Sequence, residues 1–278
     1  MSGASSPFLS FAGIAVGLVM AMALVWAWNL RPGRSGWIDV VWSLATGVAG
    51  ALAALVPLGI ASPAGQRPVL VAALVLGWGL RLGLHIASRT APGHDDPRYA
   101  ALRMEWGVHF AAKSFWFLQI QALAAMFLAA VAAIAAHNPG GGMPIDGWRV
   151  QDAAGVVLVM LGIGGEALAD WQLRHFRSDP GNAGLVCDRG LWGLSRHPNY
   201  FGEWLVWVGL AVIAIDPAGG YPVGWLALAG PLLMYGLLVH VSGIPPLEAH
   251  MLQSRGEAFR AYQARVNAFW PGLPRRLP

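Results

Sequence analysis

Ionisable side chains interrupt stretches of this chain that are otherwise apolar: Asp39, Arg81, His85, Glu166, Asp170, Glu203 and His240. A charge at the centre of a bilayer costs about 2.5–3.5 kcal/mol on translocon scales, so such groups face a partner or a wet cavity. Taken singly, Arg81 and His240 also read as helix-end residues reaching the interface. The spacing is most telling at Glu166, Asp170, Arg174 and Arg177, which on one continuous helix form a stripe of two acids followed by two bases. An ion-pair ladder on a solvated face would explain that stripe. The chemical reading is a pocket wall in which arginines bind phosphates and acids accept ribose hydroxyls or order the arginines. A nucleotide-like ligand carries both kinds of group. Next along the chain, Arg196 and His197 precede Pro198, and Asn199, Tyr200 and Glu203 follow it. Proline is suited to a first helical position, so these polar groups crowd a helix N-terminus, where free N–H groups and the helix dipole favour an anion. A capping motif with interfacial aromatics accounts for Pro198 and Trp192 but not for Arg196, His197, Asn199 and Glu203 together.

The elements that must position these groups are membrane helices. The 278 residues are 56% hydrophobic and 12% charged, with a mean hydropathy of +0.53, more apolar surface than one soluble core of ordinary size buries. A span needs about 20 largely apolar residues. Windows that meet this need run Phe8–Leu30, Trp37–Ile60, Val69–Ser88, Ser114–Ala136, Val150–Asp170, Tyr200–Ile215 and Tyr221–Val241. We expect an all-α integral membrane bundle of about seven transmembrane helices, one domain over residues 1–278, with no internal repeat. The first window exceeds the ~7–15 apolar residues of a signal-peptide core and no charged segment precedes it, so it reads as a retained helix. Arginine and lysine gather in alternate connections, at Arg31 and Arg34, Arg89 to Lys113, Arg174 to Arg196 and the tail from Arg255 to Arg276. By the positive-inside rule those connections are cytoplasmic, which puts the N-terminus outside and the C-terminus inside. The intervening connections, at Ser62 to Gln66, His137 to Trp148 (with its Gly140, Gly141, Gly142 and Pro144 turn chemistry) and Asp216 to Gly220, carry Arg67 and Arg149 only at their edges. In this frame the intramembrane charges lie in the cytoplasmic half, around a cavity open to that side.

Some classes drop out. The basic residues behind the pI of about 9.7 are dispersed and form no stripe, which argues against nucleic acid. A single cysteine, Cys187, excludes an internal disulfide and a multi-cysteine metal site, and no metal is expected. Gly162, Gly164 and Gly165 lie inside an apolar span with no strand before them, so they are not a dinucleotide fingerprint. Small-residue spacings such as Gly13 with Gly17, or Gly47 with Gly50 and Ala51, suit packing within the chain as well as dimerisation.

The run Arg196-His197-Pro198-Asn199-Tyr200-Phe201-Gly202-Glu203 resembles the signature of the bacterial domain of unknown function 1295, a branch of the steroid 5-alpha-reductase superfamily. Trp78-Gly79-Leu80-Arg81-Leu82, Asp95-Asp96-Pro97-Arg98-Tyr99 and Ser242-Gly243-Ile244-Pro245-Pro246-Leu247-Glu248 are similar to blocks of that family. So is the closing Phe259-Arg260-Ala261-Tyr262-Gln263-Ala264-Arg265-Val266-Asn267-Ala268-Phe269-Trp270-Pro271. The resemblance implies NADPH-dependent reduction of a carbon-carbon double bond conjugated to a ketone, in a steroid or another flat hydrophobic lipid, by a multi-pass protein of the bacterial inner membrane. Asp170, Arg177, Asn199 and Glu203 match dinucleotide positions of the steroid reductases, and Tyr262 and Arg265 match the tail that closes over it. The expected cofactor set, drawn mainly from residues 166–278, is Glu166, Asp170, Arg174, Arg177, Arg196, His197, Asn199, Tyr200, Glu203, Glu248, Tyr262 and Arg265.

Two departures stand out. Glu166 replaces an Asn of the eukaryotic branch, and the Gln-Glu pair and Tyr that this branch sets against the steroid ketone have no counterpart, since aligning Arg81 leaves Trp78 where the Tyr belongs. Trp42, Trp78 and Arg81 are assigned to the substrate side. Hydride addition to an enone pushes electrons onto the ketone oxygen, so the site needs a donor there and a proton for the alpha carbon. Asp39, His85 and Tyr99 are the candidates. The same His-Pro motif and tail occur in isoprenylcysteine carboxyl methyltransferases, which bind S-adenosylmethionine; that cofactor lacks phosphate and would leave several arginines idle. A lipid-binding or transport protein would spread polar residues over the midplane or both sides.

Overall fold

The computed structural model describes residues 6–31, 34–58, 66–91, 96–140 and 149–275. Ile60, Ser62, His94, Asp95, the turn at Gly141, Gly142 and Pro144, and Arg276 lie outside the described residues. Among the described residues there is no strand. The α-helices are α1 (Pro7–Asn29), α2 (Trp37–Leu55), α3 (Gln66–Thr90), α4 (Pro97–Trp106), α5 (Phe110–Ala136), α6 (Val150–Ser178), α7 (Pro198–Ala214), α8 (Ala229–Tyr235) and α9 (Ile244–Arg265). Six helical stretches are long and apolar enough to cross a bilayer: α1, α2, α3, Arg98–Ala136, α6 and Pro222–Arg265. The chain is a multi-pass membrane protein by that measure. The stretch expected over Tyr200–Ile215 is α7, which at 17 residues rises about 26 Å and stands at the lower limit for a span.

Two connections differ from a plain reading of the sequence. The segment between α3 and α5 contains a helix of its own, α4, which begins at a proline and is capped by Asp96, whose side chain accepts from Arg98 N. The last apolar window is composite. It runs as a 3-10 turn (Pro222–Leu228), then α8, then a π-helical turn (Gly236–Val241) in which Ser242 N and Gly243 N both reach Leu237 O, at 2.8 and 3.1 Å. Periodicity cannot reveal such changes of pitch, because a run that is apolar all round carries no polar stripe from which the pitch could be read.

The chain forms two compact units, Met1–Val156 with Leu210–Gly230, and Val157–Gly209 with Pro231–Pro278. In the first, α1, α2 and α5 pack through Leu18, Met22 and Val25, Ile38, Ala49 and Ala53, and Leu118, Ala122, Ala125 and Ala129. Small side chains on α2 and α5 let the helices approach closely, the mode of association open to helices that gain nothing by hiding from lipid. The nearest approach is between α2 and α3: a Cβ on Gly79 would lie 2.7 Å from the Gly47 Cα. Gly47 therefore serves packing within the chain. The far ends of these helices are tied by a buried knot in which Asp152 accepts from Arg67 Nη2 at 2.7 Å and from Arg149 Nη2 at 3.0 Å. The two arginines also donate to the carbonyls of Asn138, Ile213 and Ile215, and so satisfy helix-end acceptors that lipid cannot.

In the second unit α6 crosses α7 at two glycines. A Cβ on Gly162 would sit 2.7 Å from the Gly202 carbonyl oxygen, and one on Gly202 would sit 2.8 Å from the Gly162 oxygen and 2.9 Å from Glu166 Cγ. The C-terminal segment packs Phe259, Tyr262 and Val266 against Val186, Met251 and Leu252. Trp192 seats beside Ala169 and Cys187 and donates Nε1 to Ala169 O at 2.9 Å. Burial pushes the Cys187 thiol up, which suits a packing role.

Candidate functional site

The second unit holds most of the residues that the sequence singles out. α6 is continuous from Val150 to Ser178, so Glu166, Asp170, Arg174 and Arg177 do share one stripe. The stripe changes character along its length. Glu166 is 1% and Asp170 5% exposed, whereas Arg174 and Arg177 are exposed. A solvated ion-pair ladder would expose all four, so that explanation fails for the acids. The glycine crossing brings α7 against the same face of α6. There Asn199 Nδ2 donates to Asp170 Oδ1 at 3.4 Å, and Glu203 is buried one turn further along α7. Three carboxylates and an amide are thus gathered on α6 and α7 beside their glycine crossing.

Arg196, His197, Glu248 and Tyr262 also come together, but their polar groups are engaged with one another and with backbone. Arg196 donates Nε and Nη2 to the two oxygens of Glu248 at 2.7 and 3.1 Å, and Nη1 to the carbonyls of Gln263 and Val266. That occupies four of its five N–H bonds. Glu248 further receives His197 Nε2 at 3.0 Å and Gln263 Nε2 at 2.7 Å. Burial lowers the His197 pKa, more than the facing Glu248 carboxylate raises it, so the ring is neutral and donates through Nε2. Its face stacks on Tyr200, with centroids 5.4 Å apart. Tyr262 donates its hydroxyl to Trp192 O, Ser195 Oγ donates to Phe269 O, and Arg196 N donates to Asn267 O. Arg265 pairs with Asp188 at 2.9 Å. The tail is in this way clasped to the loop that begins α7, and Gln263, absent from the sequence-derived set, is part of the clasp.

In the first unit the structure joins two of the three candidate donors. Tyr99, 5% exposed, donates its hydroxyl to Asp39 Oδ1 at 3.2 Å and accepts from Gln121 Nε2 at 3.3 Å. Asp39 Oδ2 pairs with Arg98, which also holds Asp96 at 2.9 Å. The hydrogen bonds and charge of Arg98 outweigh burial and hold the Asp96 carboxyl below its usual range. Trp42 donates Nε1 to Gln121 O at 3.0 Å and meets the fully buried Trp78 edge to face, at 6.5 Å between centroids. Two of the three substrate-side residues therefore border this cluster. His85 and Arg81 lie half-buried on α3. Gln121 was missed, although an amide inside an apolar span is itself a signal that a polar partner lies near.

No curated protein and no solved structure matches the chain. A family model does match, over residues 25–266, a range that contains every side chain of the three clusters above. The chain belongs to the family described as protein of unknown function DUF1295.

Proposed function

We propose that this protein is an NADPH-dependent reductase of a carbon-carbon double bond conjugated to a ketone in a steroid-like lipid. In this reading α7 is a seventh span, the N-terminus lies outside, and the C-terminus lies in the cytoplasm of a bacterial cell whose inner membrane holds the chain. The observation that carries the proposal is the burial of Glu166, Asp170 and Glu203 with Asn199 on two apolar, glycine-packed helices. A buried carboxylate holds a ligand's hydrogen-bond donors more strongly than an exposed one, because the low local dielectric strengthens each bond. Ribose hydroxyls and a carboxamide are such donors, and the exposed Arg174 and Arg177 at the end of the same stripe suit phosphates. The donor set therefore fits a dinucleotide, and the bound nicotinamide would supply the hydride.

The residues of this chain then have separate tasks. Asp170, Asn199, Glu166 and Glu203 orient the cofactor. The Glu248 clasp fixes the start of α7 and hence Asn199 and Glu203. Tyr99, with its hydroxyl held between Asp39 and Gln121, is the donor best prepared to hydrogen-bond a ketone oxygen on which charge develops, because Asp39, Arg98 and Gln121 fix the position of that hydroxyl.

Thermal unfolding of the purified protein with NADPH, with S-adenosylmethionine and with neither tests the reading. A ligand at 100 times its Kd adds about 2.7 kcal/mol. We expect NADPH alone to stabilise the wild type, and Asp170→Ala to lose that effect. Stabilisation by S-adenosylmethionine and not by NADPH would replace reductase with methyltransferase.

A further inference from the structure

We propose that a groove on the lipid-facing side of the α6–α7 crossing seats the fused-ring skeleton of a steroid-like lipid drawn from the bilayer. The groove holds about 500 Å³ of empty space, a size typical of small-molecule sites. It lies within the second unit, between Leu161 and Gly165 of α6, Pro198, Phe201 and Leu205 of α7, and Leu194 of the loop before α7. Every side chain that lines it is apolar, so its occupant is recognised by hydrocarbon alone. α6 is long and apolar enough to cross the bilayer, and Leu161 and Gly165 stand near its middle. Leu161, at the rim, is 59% exposed. The groove therefore opens to the bilayer, and what fills it comes from there.

Two features select a rigid, flat occupant over a loose acyl chain. The first is a floor of bare backbone. Gly162 and Gly202 are glycines because the helices touch there, but a Cβ on Gly165 would meet nothing within 4 Å. A glycine in a helix interior weakens the helix, and no neighbour in the protein requires this one. The space it leaves is part of the groove. The second feature is stiff walls. Pro198 and Pro271 have fixed rings, and Gly272 N holds the tail to Leu194 O at 2.9 Å. The Phe201 ring packs against Trp204, Phe269 and Trp270, with centroids 5.7, 5.7 and 6.0 Å away. Such a slot is preformed. A fused-ring lipid enters it with little conformational freedom to lose, whereas an acyl chain must be ordered along its length. From Pro198 to Leu205 the α7 wall rises about 10 Å, close to the length of a four-ring skeleton. That this lipid is the substrate rests on the reductase reading; the groove does not.

The test is photolabelling of the full-length protein in nanodiscs with two probes, a progesterone analogue bearing a diazirine on its side chain and a phosphatidylcholine bearing one in an acyl chain. We expect the steroid probe to label the stretch 191–205 and excess progesterone to block it, while the acyl probe marks the lipid-facing helices without being blocked. Gly165→Leu, which projects a side chain into the groove, should lower steroid labelling there about tenfold. Gly165→Ala guards against misfolding: it should melt at or above the wild-type temperature and lower the labelling by a smaller factor. Steroid labelling that progesterone does not block, or that Gly165→Leu leaves unchanged, overturns the proposal. Reduction of progesterone by a protein whose groove stays unlabelled also overturns it and leaves the reductase reading intact. Blockable labelling in a protein that NADPH does not stabilise upholds the groove and sinks the reductase reading instead.

Discussion

Asp152 and Asp39 are both aspartates of the first unit, both set against arginine, and they differ in how completely they are enclosed. Around Asp152 the side chains of Arg67, Arg149 and the acid are 4%, 5% and 1% exposed, and the arginines extend to carbonyls at three helix-end positions. Around Asp39 the acid and Arg98 are 23% and 28% exposed, and the remaining oxygen holds a tyrosine hydroxyl at 3.2 Å. The lesson is that residue type does not separate structure from chemistry in a membrane; saturation and access do. A knot whose every donor meets a fixed acceptor has no group to offer a substrate. A half-open cluster with a neutral hydroxyl held by long hydrogen bonds can exchange a partner for a ketone.

The largest effect expected follows from breaking the closed side. Asp152→Ala leaves two buried arginines without their acid and should cost about 3–5 kcal/mol, read as loss of folded protein in detergent; a variant that folds normally would dissolve the distinction. Next comes the open side. Tyr99→Phe should lower kcat for enone reduction about 100-fold, the scale for one lost donor at a developing oxyanion, with the melting temperature nearly unchanged. A loss of stability in place of activity would move Tyr99 into the class of Asp152. Glu248→Ala tests whether the clasp belongs with the closed class. It should cost about 1–3 kcal/mol by stranding Arg196 and His197, and weaken NADPH only through the position of α7, so NADPH at saturation should restore kcat.

The smallest effect is with pH. Because the folded-state pKa of His197 lies below its unfolded value of about 6.5, the unfolded chain binds the extra proton, and stability falls as pH drops through and below that value. Melting curves between pH 7.5 and 5.5 should show a decline that His197→Asn lessens.

Much of this was legible in the sequence, for a physical reason. Hydropathy and helical period placed α1, α3 and α5 to within four residues at each end and gave the first residues of α2 and α6, because lipid leaves a backbone few alternatives to the helix; α2 stops five residues short of its apolar window, and α6 runs eight residues past its own. The interval from Glu166 to Asp170 gave their common face, and the Arg196 to Glu203 run gave the start of α7. What escaped was long-range pairing. Arg67 was visible only as an edge charge, since nothing local ties it to an acid 85 residues away; the pairing of Arg149 with Asp152, three residues on, is by contrast a local spacing that the sequence does offer. Gln121 and Gln263 carry no charge to attract notice, and their roles exist only once Tyr99 and Glu248 are placed. The π-helical turn at Gly236–Val241 left no mark on composition at all.

The most direct test of the central claim is a single-turnover reaction of the detergent-purified protein with NADPH deuterated at the transferring position and progesterone, with Asn199→Ala and Glu203→Ala in parallel. The account predicts a saturated ketone carrying one deuterium at the former beta carbon with the wild type, and none with either variant. Tight binding of NADPH by the wild type with no reduction of progesterone or any simpler enone would contradict it.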